Sequence, residues 1–280
     1  MTLKEFSAAM PASLLLISQI LLLWSIANYG IASDPVQETN RPSTETLKVP
    51  RLWLLLLMVR SCLVGVFLLI IAGPSKGALI LTLLLIAGCL LLPVARRWWV
   101  PPTYGAELEI GTNGLFVVFT LTCVMHWHLK SLHNPTLPFS ETRISALCLI
   151  AAIAIFSIRG ATYIVRGILN KCGALPELVV PEGNSVVPRT SRVVSETAVD
   201  AVEFNRGRWI GNLERILLLV IIADASYESI AFLMAAKSLI RSKDLENREW
   251  AEYFLLGTLA SVVVALGAGL AIRAILKAFW

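Results

Sequence analysis

Apolar and polar positions alternate along this chain on a long period: extended apolar runs separated by short polar stretches. Runs near residues 8–31, 52–72, 77–95, 144–169 and 251–275 each hold enough apolar residues for a helical crossing. A hydrocarbon core of about 30 Å takes roughly 20 helical residues. A shorter run covers 114–130. The stretch 208–241 is too long for one crossing and is interrupted at Asp224-Ala225-Ser226. It leaves two pieces of about 16 residues, roughly 24 Å each. The pattern predicts a broken helical hairpin there, either two short spans or a re-entrant pair, and a re-entrant pair holds at membrane depth only where protein or a water-filled cavity covers it. The predicted fold is all-α, a polytopic transmembrane bundle of seven or eight spans.

The polar stretches divide this bundle. Residues 1–170 carry five spans, 171–205 form a polar linker, and 206–280 form a C-terminal block with the hairpin and the last span. Loops 33–51 and 170–207 are rich in Pro, Ser, Thr, Glu and Val without helical or strand periodicity, so neither can bury a core. Val-rich pieces such as Leu178-Val179-Val180 are suited to local pairing but define no domain.

Composition confirms the class. The chain of 280 residues is 56% hydrophobic and 15% charged, where soluble proteins carry about 25% charged residues. The net charge of +5 does not indicate nucleic acid, because Lys and Arg flank apolar segments and form no basic run with interleaved aromatics. With the hairpin counted as two spans, thirteen Lys and Arg, among them Arg41, Arg96, Arg97, Lys171 and Arg248, fall on one face and six on the other. The positive-inside rule then places loops 33–51, 96–113 and 170–207 in the cytoplasm and both termini outside, in a cytoplasmic (inner) membrane. Trp98, Trp99 and Trp280 have the character of interfacial anchors. The first run has a second reading as a cleaved signal peptide, since Lys4 precedes it and it ends Gly30-Ile31-Ala32. Cleavage would invert every later loop against the charge count, and Gln19 and the run's length favour a retained helix. The cysteines show no C-x-x-C spacing and read as small apolar residues.

Charges inside the apolar runs are the candidate functional residues. A charged side chain at mid-membrane costs roughly 2.5–3.5 kcal/mol on an insertion scale, so it needs a partner, a cavity or an interface. Arg60 is surrounded at helical spacing by Leu56, Leu57, Leu63 and Val64, so its partner must lie on another helix. Arg159, Tyr163, Arg166 and Asn170 form a polar stripe on the fifth span, and Lys237 and Arg241 are four apart. With the orientation above, Glu214, Lys237, Arg60, Arg159, Arg166, Arg241 and Glu252 share one depth on the cytoplasmic side. Such a cluster admits a structural ion-pair network, a solute pathway, or a site for an anionic headgroup, to which arginine is suited. Small residues suggest where helices approach: Gly207 and Gly211 beside Glu214 on one face, and Gly257, Ser261, Ala265 and Gly269 on the last span.

His126, His128 and His133 raise a metal, but His126 and His128 point about 200° apart on a helix and no acidic residue accompanies them. No metal or other cofactor is expected. The sequence has no G-x-S-x-G, H-E-x-x-H or P-loop.

The pattern Gly207-x-x-Ile210-Gly211-x-Leu213-Glu214-Arg215, then Ala236-Lys237-Ser238-x-x-Arg241, then Glu252-Tyr253-Phe254-Leu255-x-Gly257-Thr258-Leu259-x-Ser261 resembles the C-terminal block of a prokaryotic family of polytopic membrane proteins of unknown function. The resemblance covers about residues 206–261 and leaves the first 200 uncovered. It implies a polytopic membrane protein whose shared features include Glu214, Lys237 and Glu252, with no activity attached. The resulting expectation is a non-enzymatic membrane protein, a small transporter or a component of a membrane complex. Its partners would be the bilayer, anionic lipid or other membrane subunits. The alternative is an anionic-lipid-binding protein or a lipid-modifying membrane enzyme.

Overall fold

The computed structural model describes residues 3–30, 51–129, 141–173, 178–179, 199–240 and 248–280. They form nine α-helices: α1 Leu3–Ser25, α2 Arg51–Ala72, α3 Lys76–Val94, α4 Gly105–His126, α5 Glu141–Ile155, α6 Ala161–Lys171, α7 Ala201–Ala223, α8 Glu228–Ile240 and α9 Arg248–Phe279. Three five-residue π-helical turns continue them: Ile26–Gly30 after α1, Ala95–Trp99 after α3, and Phe156–Gly160, which joins α5 to α6 in one long rod. The strands β1 Leu178–Val179 and β2 Val199–Asp200 pair in parallel over two residues.

Local chemistry sets the turns. Gly73, at φ 74, lets the chain leave α2, and Pro74 prevents the helix resuming. The Ser75 side chain then caps α3 by accepting from the Ala78 N–H at 3.1 Å. This short turn makes α2 and α3 a close antiparallel pair. Between α7 and α8 the reversal runs through Ala225 at φ 66, with Ser226 N–H bonded to the Ile221 carbonyl.

Contacts between helices give their directions. Trp24 Nε1 donates to Asn113 and Ser13 Oγ to the Leu129 carbonyl, so α1 and α4 are antiparallel. Arg159 reaches the Tyr29 carbonyl at the end of α1, so α1 and the α5–α6 rod are parallel. Ile222 meets Gly269, Arg215 meets Ser261, and Glu214 meets Lys237, so α7 and α9 run together with α8 antiparallel between them. Arg273 bonds to Tyr227 Oη, which puts the α7–α8 reversal at the far end of α9. Two apolar cores result. One, around Ile20, Trp24, Leu68, Leu85 and Val124, lies among α1 to α4. The other, around Leu218, Ile222 and Ala265, lies among α7, α8 and α9. The α5–α6 rod packs against both α1 and α9 and joins the halves.

The helical boundaries correct part of the sequence reading. The stretch 96–113 is not a loop: the π-helical turn runs to Trp99 and α4 begins at Gly105. Pro101, Pro102 and Gly105, Gly111 and Gly114 had interrupted the apolar pattern there. Likewise α7 begins at Ala201, inside the stretch read as linker.

Candidate functional site

The charged and polar side chains gather in one layer near the end of the bundle where α1 finishes and α4 begins. Aromatic residues bound it outward: Trp99, Tyr104 and Trp209 are exposed, and Trp53 is covered by Arg97, 5.1 Å above its ring. Along their helices Arg60, Glu109 and Arg215 lie about 8–10 Å inward from Trp53, Tyr104 and Trp209. That distance puts the layer below the aromatic belt expected at the membrane surface.

Its centre is a buried ion pair. Arg96 grips Glu109 with two bonds, Nε to Oε1 at 2.5 Å and Nη2 to Oε2 at 2.8 Å, and both side chains are almost fully buried. Tyr29 Oη donates to Glu109 Oε2 at 2.7 Å, Asn113 Nδ2 donates to Tyr29 Oη at 2.6 Å, and Trp24 Nε1 donates to Asn113 Oδ1 at 2.9 Å. The guanidinium also lies 3.9 Å from the centre of the Tyr163 ring. A buried ion pair offsets its desolvation only when its remaining donors and acceptors are satisfied, and this one meets that condition. None of Arg96, Glu109, Tyr29 or Asn113 was singled out as a pair by the sequence, although Trp24 with Asn28 and Glu109 with Asn113 both show the i, i+4 spacing of one helix face.

Outside this pair the arginines bind backbone carbonyls where a helix is irregular. Pro93 lacks an N–H, so the carbonyl four residues back, on Cys89, has no helical donor. Arg60 Nη2 donates to that carbonyl at 3.3 Å. Arg159, itself in a π-helical turn, donates to the carbonyls of Tyr29 and Gly30 in another at 2.9 and 2.6 Å, and Arg96 Nη1 reaches the Asn28 carbonyl. Arg215, 5% exposed, donates to the Ile158 carbonyl at 3.1 Å, to Thr162 Oγ1 at 3.0 Å, to Asn212 Oδ1 at 2.5 Å and to Ser261 Oγ at 3.3 Å. π-helical turns misalign the regular backbone ladder and recur at functional sites. Here all three sit at one level and are laced together by guanidinium groups.

The second ion pair belongs to the hairpin. Lys237 Nζ donates to Glu214 Oε2 at 2.5 Å, with side chains 20% and 17% exposed, and lies 5.3 Å from the Phe254 ring. The pair borders a small cleft between α7, α8 and α9 whose other polar lining is Thr258 and Ser261 and whose walls include Leu218 and Val262.

Of the residues expected in the cluster, the structure joins Glu214 to Lys237 and keeps Arg60 and Arg159 at the same level on carbonyls of other helices. Arg60 donates to the Cys89 carbonyl on α3, and α2 packs on α3 and α1. Glu252 is exposed near the start of α9, Arg166 is buried in α6, and Arg241 and His133 lie outside the described residues. His126 and His128 are exposed at the opposite end. Among the packing residues, Ala265 is fully buried and Ser261 faces Arg215, while Gly257 makes ordinary contact with Leu169. Gly207 lies within α7, and a Cβ at Gly211 would meet nothing within 4 Å, so Gly211 is not a point of close helix approach. A close approach of α7 to α9 lies about three turns further along α7, where a Cβ at Gly269 would come within 2.7 Å of Ile222 Cβ.

Six helical stretches, Ser13–Gly30, Trp53–Ala72, Lys76–Arg97, Gly105–His126, Glu141–Lys171 and Ala251–Phe279, are long and apolar enough to cross a membrane. The fold and the polar layer define a multi-pass, helical membrane protein. No protein-family model matches the chain, and neither a curated protein nor a solved structure matches it.

Proposed function

We propose that this is a non-enzymatic protein of a bacterial cytoplasmic (inner) membrane, a small transporter or a subunit of a membrane complex, whose working unit is α7, α8 and α9. The observation that carries this reading is the Glu214–Lys237 pair, partly buried within the membrane-spanning bundle and bordering a cleft between three helices. In the proposed topology α7 and α8 both cross, giving eight crossings with the arginine-rich layer and the connections 31–50, 100–104 and 172–200 toward the cytoplasm. The antiparallel course of α8 and the reach of Tyr227 to Arg273 support two crossings over a re-entrant loop. The resemblance over residues 206–261 is taken as a kinship confined to this unit.

Charge reversal tests the pair. Glu214→Lys alone sets two ammonium groups together, and Lys237→Glu alone two carboxylates, so each single change lowers the folded yield. The reciprocal double variant restores it to near the original yield. Failure of the double variant to recover would remove the pairing from the reading.

A second reading is favoured by the layer's charge. Among the described residues, Glu109 and Glu214 are the partly or fully buried carboxylates in a layer that also holds Arg60, Arg96, Arg159, Arg166, Arg215 and Lys237. A surplus of arginine just below headgroup depth suits an anionic lipid phosphate drawn inward from the surface. That reading predicts co-purified anionic lipid, lost in Arg159→Ala; lipid retained at the same ratio counts against it.

A further inference from the structure

Several donors lining the α7–α8–α9 cleft are uncommitted. Lys237 Nζ carries three N–H groups, and one is used by Glu214. The Ser261 oxygen accepts from Arg215, which leaves its own hydrogen to give, and neither Ser261 nor Thr258 donates a side-chain hydrogen bond among the described residues. The carboxylate that lines the cleft, Glu214, already accepts from Lys237.

Charge points the same way. Arg215, immediately behind Ser261, and Lys237 together exceed Glu214 by one positive charge, in surroundings where electrostatics are strong. A cation entering here meets net repulsion; a single negative charge brings the group to neutrality. The cleft has room for about one water-sized particle, and its walls of Leu218, Leu233 and Val262 offer no hydrogen bonds, which suits a weakly hydrated ion.

We infer that this cleft binds one small monovalent anion of chloride size, held by Lys237 Nζ and the Ser261 and Thr258 hydroxyls with Arg215 as the charge behind them. As the solute class of the proposed transporter, the inference rests on that reading for its purpose, while the binding chemistry stands on the cleft alone.

The test is radiolabelled chloride binding to the purified full chain in detergent, with gluconate replacing chloride as the reference salt. Saturable binding of about one chloride per chain is expected, insensitive to exchanging sodium for potassium. Lys237→Gln and Ser261→Ala each weaken it by about tenfold or more, the loss of one charged or direct hydrogen bond. Lys171→Gln, which breaks an exposed ion pair with Glu107 outside the cleft, leaves it unchanged. Should Lys237→Gln fail to fold, Ser261→Ala and Thr258→Val carry the comparison. No saturable chloride binding, or binding unaltered in folded cleft variants, overturns the inference and leaves the cleft to water. Chloride flux in reconstituted vesicles separates the two claims: binding without flux overturns the transporter and keeps the site.

Discussion

At the residue scale, each charge in the layer has to find protein atoms that replace water. Arg60 shows how far sequence can lead. A cation among leucines announces that it needs an off-helix acceptor, and Pro93 announces a carbonyl without a helical donor. Nothing in the sequence says that the two face each other. Glu109 is harder, because prolines and glycines around it mimic a loop. The structure makes it the hub of the Arg96, Tyr29 and Asn113 network. Glu109→Gln leaves the Arg96 guanidinium buried without its counter-charge, and removal of one partner of a buried pair costs about 3–5 kcal/mol. The expected outcome is a large loss of thermal stability in detergent, read as the midpoint of solubility-based melting. Arg96→Met combined with Glu109→Met recovers much of it, since the double variant buries no unpaired charge. An unshifted midpoint in Glu109→Gln would mean that the pair does not hold the layer.

At the element scale, the helices were legible because apolar runs of about 20 residues have few alternatives in lipid. The π-helical turns were not, because each adds a residue to a helix without any compositional mark. Their positions follow from tertiary contacts: Arg159 ties the Phe156–Gly160 turn to Ile26–Gly30, Arg96 ties the Ala95–Trp99 turn to Ile26–Gly30 as well, and Arg215 ties α7 to Phe156–Gly160. Small residues were read as helix contacts from spacing alone, and spacing cannot tell which of two adjacent faces meets a neighbour. Gly211 and Gly269 separate these cases. A Cβ at Gly211 meets nothing within 4 Å, so Gly211→Ala is expected to stabilise α7 by about 0.5–1 kcal/mol through helix propensity. A Cβ at Gly269 presses on the backbone-proximal atoms of Ile222, which cannot swing away, so Gly269→Ala is expected to cost about 1–3 kcal/mol. Thermal midpoints of the two variants should therefore move in opposite directions; equal shifts would contradict the packing of α7 on α9.

At the scale of the whole molecule, two apolar cores are joined by the α5–α6 rod, and the layer of arginines crosses that junction near one end. Membrane insertion gives this asymmetry its meaning. In the proposed orientation Lys and Arg hold their end on the cytoplasmic side, and a hairpin whose tip reaches the opposite end then places residues 224–227 outside. Neither hydropathy nor charge could decide this. The segment around Arg206, Arg208, Glu214 and Arg215 is too polar to register as a crossing, and a re-entrant loop leaves every later connection on the same side. The proposed two crossings rest on geometry instead: Asp224, Tyr227 and Glu228 are exposed beyond the apolar core formed by Leu218 and Ile222. In whole cells, a Ser226→Cys variant in a background with its native cysteines replaced should react with a membrane-impermeant maleimide from outside. Cys172, exposed after α6 at the arginine-rich end, restored alone in the same background should react only after the membrane is opened. Protection of residue 226 in intact cells, with Cys172 still inside, would return α7 and α8 to a re-entrant pair. Reaction of Cys172 from outside would invert the whole bundle and place the arginine layer on the face that the positive-inside rule forbids.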